Sequence, residues 1–447
     1  MRHLAALGAL LLALTLAGLS LHQPGAITLP SLRVAEVFVA LAAAAAAIYG
    51  LAVRETLRRE TPRGAVWLVL GVALALRLSV LFAPPFLSSD VFRYVWDGMV
   101  QEAGVNPYRY LPDDPALERL RDAAVWPHVN RASTAPTIYP PTAQLVFQLV
   151  ARASPTVLAM KAAMVGFELA GMTAVVWLLD RALLPRARLL IYAWNPLAVW
   201  AFAGNGHVDA LAIGLIGLAL LARASRCDGA AGFLLGAAAL VKFLPAAVAP
   251  ALWRRGDWRM PAAALVTIAA LYLPYIGVGW RVLGFLPGYA AEEGIDKGSA
   301  FWLLAGLGRV VALSPATIAA YEASAALALG GLALWVAVRP RPRLDAGDDM
   351  VRVCRDAAIL AAATMAALSP HYSWYFAWLA LPCCLAPLRS VIYLSAAGLL
   401  LDLNPWDERF FWAALLYGPA VALAVLDWRR LRPGRAAALG VALGRSP

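Results

Sequence analysis

The chain has 447 residues, of which 62% are hydrophobic and only 15% are charged, and its mean hydropathy is +0.69. Several apolar runs reach the length of about 20 residues that a helix needs to cross a bilayer. This composition excludes a soluble globular protein and predicts a polytopic membrane protein. The net charge of +11 comes almost entirely from arginine, which here indicates membrane topology and contact with anionic lipids rather than nucleic acid.

The apolar runs predict an all-α protein with about twelve transmembrane helices in one integral-membrane domain, residues 1–447. Arginine-rich loops alternate with these runs, and the positive-inside rule assigns such loops to the cytoplasm. The predicted spans are 4–21, 34–53, 65–83, 156–180, 188–203, 206–223, 260–277, 316–338, 354–370, 372–387, 390–402 and 410–427. Three further apolar stretches, 138–153, 228–252 and 300–313, are predicted to be interfacial or half-inserted helices.

Two polar segments are predicted to be extracytoplasmic loops, at residues 84–137 and 278–300. The first is the longest polar stretch of the chain, and a loop of that length is usually functional or folded in its own right. It begins with SSDVFRYVWDG, a sequence that contains two carboxylates directly after a predicted span.

This sequence predicts a short amphipathic helix lying on the membrane surface, with Ser89 as its N-cap and Gly104 beyond its end. Asp90 and Asp97 would lie about 10 Å apart along the helix axis, which suits one general base and one group that holds the substrate. The alternative is a helix cap at Asp90 and a solvated pair of Asp97 with Arg93. The predicted apolar face contains Phe92, Val95, Trp96 and Met99, and the predicted polar face contains Asp90, Arg93, Asp97 and Gln101.

Two other motifs bring polar groups to the same predicted face. In NPLAVWAFAGNGHVDAL, glycines permit a tight turn at the tip of an outward hairpin. In SPHYSWYFAWLALP, polar and aromatic residues lie at another outward end, where an ordinary aromatic belt is an equal interpretation. The polar residues of interest are Asn205, His207 and Asp209 in the first motif and His371, Tyr372, Trp374 and Tyr375 in the second.

Lys242 lies within the apolar stretch LVKFLPAAVAP. An ammonium group inside a membrane costs about 2.5 to 3.5 kcal/mol on insertion scales, so it needs a partner or a cavity. Lys242 suits an anionic headgroup, and the alternatives are snorkelling to the surface or a pair with Glu168. Arg77 and Glu168 lie within predicted spans and can instead pair with each other across helices.

These groups favour an enzyme that acts on an anionic, lipid-linked substrate. A nucleotide sugar would need a cytoplasmic site, typically with a strand followed by GxGxxG, and the sequence has no such motif. Outside the cytoplasm an activated sugar must be carried by a lipid, for which a polyprenyl phosphate is the natural choice. Transfer needs a carboxylate that accepts the proton of the acceptor hydroxyl and cations that stabilise the departing phosphate. No cofactor is expected, and a divalent cation between a carboxylate and the phosphate stays open.

The order and spacing of several motifs resemble the GT-C superfamily of integral-membrane glycosyltransferases. The chain is similar to bacterial polyprenyl-phosphate-mannose-dependent mannosyltransferases and to glycosyltransferase family 87, and more distantly to the GPI first mannosyltransferase. The motifs span most of the chain, from residue 65 to residue 425. They are SSDVFRYVWDG, GVNPYRY, IYPPTAQLVF, NPLAVWAFAGNGHVDAL, LVKFLPAAVAPAL and SPHYSWYFAWLALP.

The resemblance implies a catalytic base in the acidic motif of the first long outward loop, which corresponds to Asp90. It also implies short membrane-surface helices after that motif. Two features differ from the common pattern. Ser-Ser-Asp replaces two acids in close succession, which weakens a prediction of metal binding, and two predicted spans precede the usual first one, which leaves the role of residues 1–60 open.

We therefore expect a glycosyltransferase that moves a hexose from a polyprenyl-phosphate donor to a hydroxyl of a lipid- or glycan-linked acceptor. Mannose is the sugar that the resemblance favours, and single displacement with inversion is the default, because no second carboxylate is clearly placed as a nucleophile. The protein would lie in the cytoplasmic (inner) membrane, in contact with membrane lipids, with its active site facing outward.

The candidate catalytic residues are Asp90, as general base, and Asp97, His207 and Asp209. The residues predicted to bind the donor phosphate are Lys242, Arg93 and Arg109. The residues predicted to line the substrate site are Tyr94, Asn106, Tyr139, Asn205, His371, Trp374 and Tyr375.

The main alternative is a lipid-linked-sugar flippase or transporter, with Arg77, Glu168 and Lys242 along the pathway. Such folds often contain internal repeats, and the sequence has no second copy of the aspartate helix. An O-antigen polymerase or ligase would be expected to have its largest polar loop later in the chain. A purely structural membrane subunit would not explain why polar groups gather at one face.

Overall fold

The computed structural model describes residues 1–23, 25–59, 61–340, 345–403 and 411–431. Every regular element within these ranges is a helix, which confirms the all-α prediction. The longer helices are α1 (Arg2–Leu19), α2 (Leu32–Arg58), α3 (Ala65–Leu81), α4 (Asp90–Glu102), α5 (Pro141–Ala153), α6 (Val157–Arg181), α7 (Asp209–Ala224), α8 (Asp228–Ala239), α9 (Arg259–Tyr272), α10 (Pro315–Val338), α11 (Ala346–Leu368), α12 (Arg389–Ala397) and α13 (Phe411–Leu431).

Short helical segments connect these helices, and most of them are 3₁₀-helices or single α-helical turns. They are Pro115–Leu120, Trp126–His128, Arg186–Leu189, Leu190–Ala193, Pro196–Ala198, Val199–Gly204, Leu244–Val248, Ala249–Leu252, Leu273–Leu283, Leu286–Glu292, Trp302–Leu307, Ser373–Leu379, Ala380–Cys383 and Gly398–Leu403.

Five helical stretches of the described residues are long and apolar enough to cross a membrane, and one bent pair would bring the number to six. The five are Arg2–Leu19, Leu32–Arg58, Val157–Arg181, Arg259–Glu292 and Pro315–Val338. Two shorter apolar helices are Ala65–Leu81 and Asp228–Ala239. The protein therefore has the helices of a membrane protein, but the predicted number of about twelve spans is not confirmed.

The predicted span 188–203 is broken into short pieces, of which the last, Val199–Gly204, is a π-helix. Pro196 cannot donate a backbone hydrogen bond, so a continuous helix is interrupted there. The Asn195 side chain instead accepts from the N–H groups of Leu197 (2.9 Å) and Ala198 (3.3 Å). The segments Pro196–Gly204 and Asp209–Ala224 meet at an angle of 118°. A sharp turn at residues 205–208 results.

Helix α4 is buried on both faces, whereas the sequence predicted an amphipathic helix on the membrane surface. Its polar residues Arg93, Asp97 and Gln101 are all buried. Helix α5 and the rest of the first loop cover them, and Gln144 of α5 donates to Asp97 Oδ2 at 3.0 Å. The predicted pair of Arg93 and Asp97 is present at 2.8 Å, but inside the protein and not in solvent.

The two predicted outward loops contact each other. The Arg131 guanidinium of the first loop pairs with the Glu292 carboxylate of the second at 2.5 Å. The backbone N–H of Phe285 donates to the carbonyl oxygen of Thr137 at 3.2 Å. The loops at residues 84–137 and 278–300 therefore pack against each other.

Arg77 and Glu168 form a fully buried ion pair between α3 and α6. The guanidinium group of Arg77 donates twice to the carboxylate, at 2.9 Å and 2.5 Å, and once to the carbonyl oxygen of Ala193 at 2.8 Å. The Tyr192 hydroxyl donates to the same carboxylate at 3.0 Å. This confirms the predicted pairing across helices and excludes the alternative partner of Lys242.

Helices α6 and α7 approach each other through glycine. A Cβ added to Gly214 would lie 2.5 Å from the carbonyl oxygen of Phe167, and one added to Gly217 would lie 2.9 Å from the Cα of Gly171. Small residues allow membrane helices to pack backbone to backbone in this way. This contact holds the first turn of α7, and therefore Asp209, in place.

We predict that Gly214→Ala lowers the free energy of unfolding by about 1 to 3 kcal/mol, because the new methyl group overpacks against backbone that has no room to move. The matched control is Gly166→Ala in α6, where a Cβ would meet no atom within 4 Å. The control should be neutral or stabilising by up to about 1 kcal/mol. Unfolding in mixed micelles by titration with sodium dodecyl sulfate measures both variants, and equal values for the two would contradict the close approach.

Candidate active site

The turn at residues 205–208 holds the chain that leads to Asp90. Asn205 Oδ1 accepts hydrogen bonds from the backbone N–H groups of Phe86 (3.1 Å) and Leu87 (2.9 Å). Gly206 has a φ of +71°, and a Cβ there would lie 2.9 Å from the side chain of Val91, so the turn requires glycine. Asn205 is fully buried and acts as a positioning residue behind the site.

Lys161 provides a second anchor for the same chain. Its Nζ donates to the carbonyl oxygens of Val80 (3.1 Å) and Ala83 (2.6 Å) at the end of α3. The last carbonyl groups of a helix have no partner within the helix, so a cation there satisfies them. The direction in which the chain leaves α3 is thereby fixed.

Helix α4 starts at Asp90, as predicted, with Ser89 at its N-cap position. The Ser89 side chain makes no cap hydrogen bond. Ser88 Oγ instead accepts from the backbone N–H of Asp90 at 3.2 Å. The Asp90 carboxylate is therefore not used as a cap and is directed towards a cavity.

Asp90 lies at the edge of this cavity with 15% of its side chain exposed. Asn130 Nδ2 donates to Asp90 Oδ1 at 2.7 Å, and His207 Nδ1 lies 3.7 Å from Oδ2. Burial raises the pKa of the Asp90 carboxyl above its ordinary value, and the positive charges of Lys242 and Arg131 oppose this rise. A carboxylate with a raised pKa is a stronger base than an exposed one.

His207 packs directly behind Asp90. Its ring stacks on the indole of Trp374 with the ring centroids 3.8 Å apart. Only 1% of the residue is exposed, and neither ring nitrogen has a hydrogen-bond partner among the described residues. The stack fixes the position of the indole, which lines the cavity.

Lys242 and Asp209 form an ion pair beside Asp90, with Lys242 Nζ 2.7 Å from Asp209 Oδ2. The ammonium group also lies over the ring of Tyr375, 4.1 Å from its centroid. The Tyr375 hydroxyl is 2.9 Å from that of Tyr289. Lys242, in the segment after α8, thus contacts both helix α7 and the motif at 371–375.

These groups surround a cavity of about 560 Å³. Polar and aromatic side chains form most of its wall, which suits a sugar, since carbohydrates offer both hydroxyl groups and apolar faces. The residues that line it include Ser31, Ser88, Ser89, Asp90, Asn130, Arg131, Tyr139, Lys242, Tyr289, Tyr372, Trp374, Tyr375 and Asp402.

A second cavity of about 280 Å³ shares a wall with the first. The shared residues are Ile138, Tyr139, Lys242, Tyr289 and Tyr375. Its remaining lining is mostly apolar and includes Phe243, Leu244, Leu286, Phe301, Met365 and Leu368. Lys242 therefore stands at a junction between a polar and an apolar chamber.

The structure brings together seven of the residues predicted from the sequence. Five of them line the first cavity, namely Asp90, Tyr139, Lys242, Trp374 and Tyr375. His207 and Asp209 contact these residues from behind.

The other predicted residues lie elsewhere. Asp97 and Arg93 belong to a buried network with Gln101 and Gln144, and Tyr94 stacks on Phe147 in the core. Asn106 bonds to the backbone of Tyr108 and Tyr275. Arg109 is exposed, and His371 Nδ1 lies 3.5 Å from Glu293 Oε2. Asn205, as described above, holds the backbone before Asp90.

Sequence reasoning missed Asn130 and Arg131, which follow the short 3₁₀-helix Trp126–His128 and lie at least 40 positions from Asp90 in the chain. Arg131 has a φ of +50°, a conformation that is uncommon for a residue with a side chain. The only indication in the sequence was that the polar residues Asn130 and Arg131 are adjacent in a segment with no periodic pattern. Asp402 was also missed, because it ends an apolar run that was predicted to be a span. It lines the first cavity and accepts a hydrogen bond from Ser373 Oγ at 2.9 Å.

The connection between α1 and α2 forms another part of the wall. Thr28, Leu29 and Ser31 line the cavity together with Leu32 and Ala35 of α2. His22 packs edge to face against Phe86, with the ring centroids 5.6 Å apart. Residues 1–60, whose role the sequence left open, thus contribute to the candidate site.

Whether the candidate site could hold a metal ion depends on whether several ligand side chains lie close together. Among the residues that the structure describes, no group of three or more His, Cys, Asp or Glu side chains is arranged to hold one. The arrangement combines two partly exposed carboxylates, Asp90 and Asp402, with the cations Lys242 and Arg131 and an aromatic surface. Such a set can accept a proton from a hydroxyl and stabilise a phosphate.

Comparison with known families connects this geometry to a class of enzyme. Residues 3–254, more than half of the chain, match the model of the MptA/B family, described as the N-terminal domain of alpha-(1->6)-mannopyranosyltransferase. Comparisons with curated proteins and with solved structures found no match. The matched range includes α1 and α2, the turn at 205–208, Asp90 and Lys242. The chain belongs to the MptA/B family of mannosyltransferases.

Proposed function

We propose that this mannosyltransferase takes mannose from a polyprenyl-phosphate donor and transfers it to a hydroxyl of a lipid- or glycan-linked acceptor. The observation that carries the proposal is the position of Lys242 between a polar cavity that contains Asp90 and an apolar cavity. A polyprenyl-phosphate sugar has the same sequence of parts: an apolar chain, a phosphate and a sugar. The first isoprene units would occupy the apolar cavity, the phosphate would bind Lys242, and the sugar would lie in the polar cavity.

The transfer is a single displacement with inversion at the anomeric carbon. Asp90 Oδ2 accepts the proton of the acceptor hydroxyl, while Oδ1 is held by Asn130. The acceptor oxygen bonds to the anomeric carbon as the bond from that carbon to the phosphate oxygen breaks. The electron pair leaves with the phosphate, whose growing charge Lys242 and Arg131 stabilise.

The family description and the inverting mechanism together define the donor anomer. An enzyme that makes an α-linked product by one inversion must use a β-linked donor. The linkage named by the family is to a 6-hydroxyl of the acceptor, which in a hexopyranose is a primary and flexible hydroxyl. We propose this linkage for the present chain as well.

We also propose that the site faces outward from the cytoplasmic membrane. The support is the distribution of charge. Helices α2 and α6 begin on the side of Asp90 and end next to arginine-rich segments, which the positive-inside rule assigns to the cytoplasm. A donor carried by a lipid is needed on that side, where nucleotide sugars are absent.

The alternative function, transport of a lipid-linked sugar, has less support. Its proposed pathway required Arg77, Glu168 and Lys242 to act along one route. Arg77 and Glu168 instead neutralise each other in a fully buried pair with additional partners. A closed pair of this kind is structural.

We predict that Asp90→Asn lowers mannose transfer by about 10²- to 10⁴-fold, the usual contribution of a general base. Radiolabelled β-linked polyprenyl-phosphate mannose and a mannoside acceptor, incubated with purified wild type or variant, measure the rate. Binding of the donor should be kept, since the substitution preserves the shape of the side chain.

The matched control for this experiment is Asp113→Asn, an exposed aspartate of the same loop, which should retain wild-type activity. Activity of Asp90→Asn within a few-fold of wild type would move the base to Asp209 or to Asp402, the other carboxylate that lines the cavity. Transfer from the α-linked donor only would contradict the inverting mechanism.

The pH dependence offers a separate test through Asn130. Its hydrogen bond favours the charged form of Asp90 and lowers the carboxyl pKa, so Asn130→Ala should raise that pKa. A base acts when deprotonated, and the acidic limb of the profile of kcat against pH should therefore move to higher pH. Asn106→Ala removes an amide that does not touch Asp90 and should leave the position of this limb unchanged. A shift in the control and none in Asn130→Ala would exclude Asp90 as the titrating group.

A further inference from the structure

A cavity of about 1000 Å³ lies between α2, α12 and α13, beyond the candidate active site along α2. Small residues of α2 form one wall, and aliphatic side chains around α12 form the other. The α2 wall contains Ala42, Ala43, Ala46, Ala47 and Gly50, and the opposite wall contains Ile392, Ala396, Leu399, Leu400 and Leu415. Apart from its arginines, the lining of this cavity is apolar except for Tyr49 and Tyr393.

Five arginines gather at one end of this cavity. They come from separate parts of the chain, namely the end of α2, the segment Arg186–Leu189, the first residue of α12 and the end of α13. The arginines are Arg54, Arg58, Arg188, Arg389 and Arg430. No aspartate or glutamate of the described residues lines the cavity. The nearby Asp427 accepts hydrogen bonds from the backbone N–H and the hydroxyl of Ser390.

The arginine cluster lies across the membrane from Asp90. Helix α2 contributes Ala35 to the candidate active site and Arg54 to the cluster. These residues are 19 positions apart, which corresponds to about 28 Å along a helix. This length is close to the hydrocarbon thickness of a bilayer, about 30 Å. The basic end is therefore at the level of the headgroups of the opposite leaflet.

We propose that this cavity binds an anionic phospholipid with two phosphates in its headgroup, of the cardiolipin type, from the leaflet opposite the active site. The acyl chains lie against the alanines of α2, and the phosphates bind the arginines. Guanidinium groups bind phosphate through paired hydrogen bonds and are suited to such contacts. This site is separate from the proposed transfer reaction and does not depend on it.

The number of charges argues for two phosphates. A headgroup with a single phosphodiester would neutralise one of five positive charges and leave the rest facing one another. Zwitterionic headgroups would neutralise none. Basic pockets between membrane helices on the cytoplasmic side bind cardiolipin and phosphoinositide headgroups. The present cavity likewise combines clustered arginines with an apolar wall between helices.

Native mass spectrometry of the purified, partly delipidated full chain tests the proposal. Cardiolipin, phosphatidylglycerol and phosphatidylcholine are added separately. We expect cardiolipin to bind roughly tenfold more tightly than either of the other two, in keeping with the contribution of each additional charge near a basic cluster. Equal binding of cardiolipin and phosphatidylglycerol, or of cardiolipin and phosphatidylcholine, overturns the proposal.

Two arginines on the cavity wall test the headgroup contact. Arg54→Gln combined with Arg389→Gln should weaken cardiolipin binding about 30-fold, the loss expected for two arginines near a charged headgroup. The matched control is Arg226→Gln combined with Arg255→Gln, two exposed arginines of the predicted cytoplasmic loops that do not line the cavity. Equal loss in both double variants would reveal a general charge effect and refute a specific site.

Two adjacent alanines test the position of the acyl chains. Ala43 lines the cavity and Ala44 does not, and both are exposed on α2. Ala43→Trp should fill the cavity and displace cardiolipin, whereas Ala44→Trp should leave binding unchanged. Unchanged binding in Ala43→Trp would overturn the assignment of the lipid to this cavity.

Discussion

The candidate site depends on the hydrogen bonds that Asn205 accepts from Phe86 and Leu87. They tie the chain before Asp90 to the turn within a bent pair of helices, and the next residues of that turn are Gly206 and His207. These hydrogen bonds thus fix the positions of Asp90, the His207 ring and the start of α7 relative to one another. Non-helical backbone within a membrane protein needs such partners, because no bulk water can satisfy its polar groups.

Asp90, Lys242, Trp374 and Tyr375 were candidates from the sequence, and the structure places all four around one cavity. Charged groups among apolar runs are costly and therefore informative. The sequence did not predict that Asp97 and Arg93 are buried. A helical wheel separates polar from apolar residues, but it cannot tell solvent from a polar partner such as Gln144. Asn130 and Arg131 were missed for another reason, since their importance comes from long-range packing of an irregular loop, which has no periodic pattern. The predicted number of about twelve spans is not confirmed, because apolar runs such as 188–203, which is interrupted at Pro196, are divided into short helices.

The first two helices gain a role from structure and family together. The family match starts at residue 3, and the connection between α1 and α2 supplies Thr28, Leu29 and Ser31 to the wall of the candidate cavity. These residues therefore belong both to the matched range of the family and to the wall of the candidate cavity. Helix α2 also lines the large basic cavity near its other end, so that one helix contributes to both cavities.

Asp209 gives Lys242 a resting partner at 2.7 Å, which bears on how a reacted carrier leaves the enzyme. Under the proposed chemistry the donor is a phosphodiester with one negative charge, whereas the released polyprenyl phosphate is a monoester with a charge of about −1.5 to −2 at pH 7. A lone ammonium group would hold the product more tightly than the donor and would slow turnover. Asp209 competes for the same ammonium group and reduces this advantage. Under the proposed chemistry the carboxylate would act as an exchangeable counterion that takes back the cation as the spent carrier diffuses into the lipid.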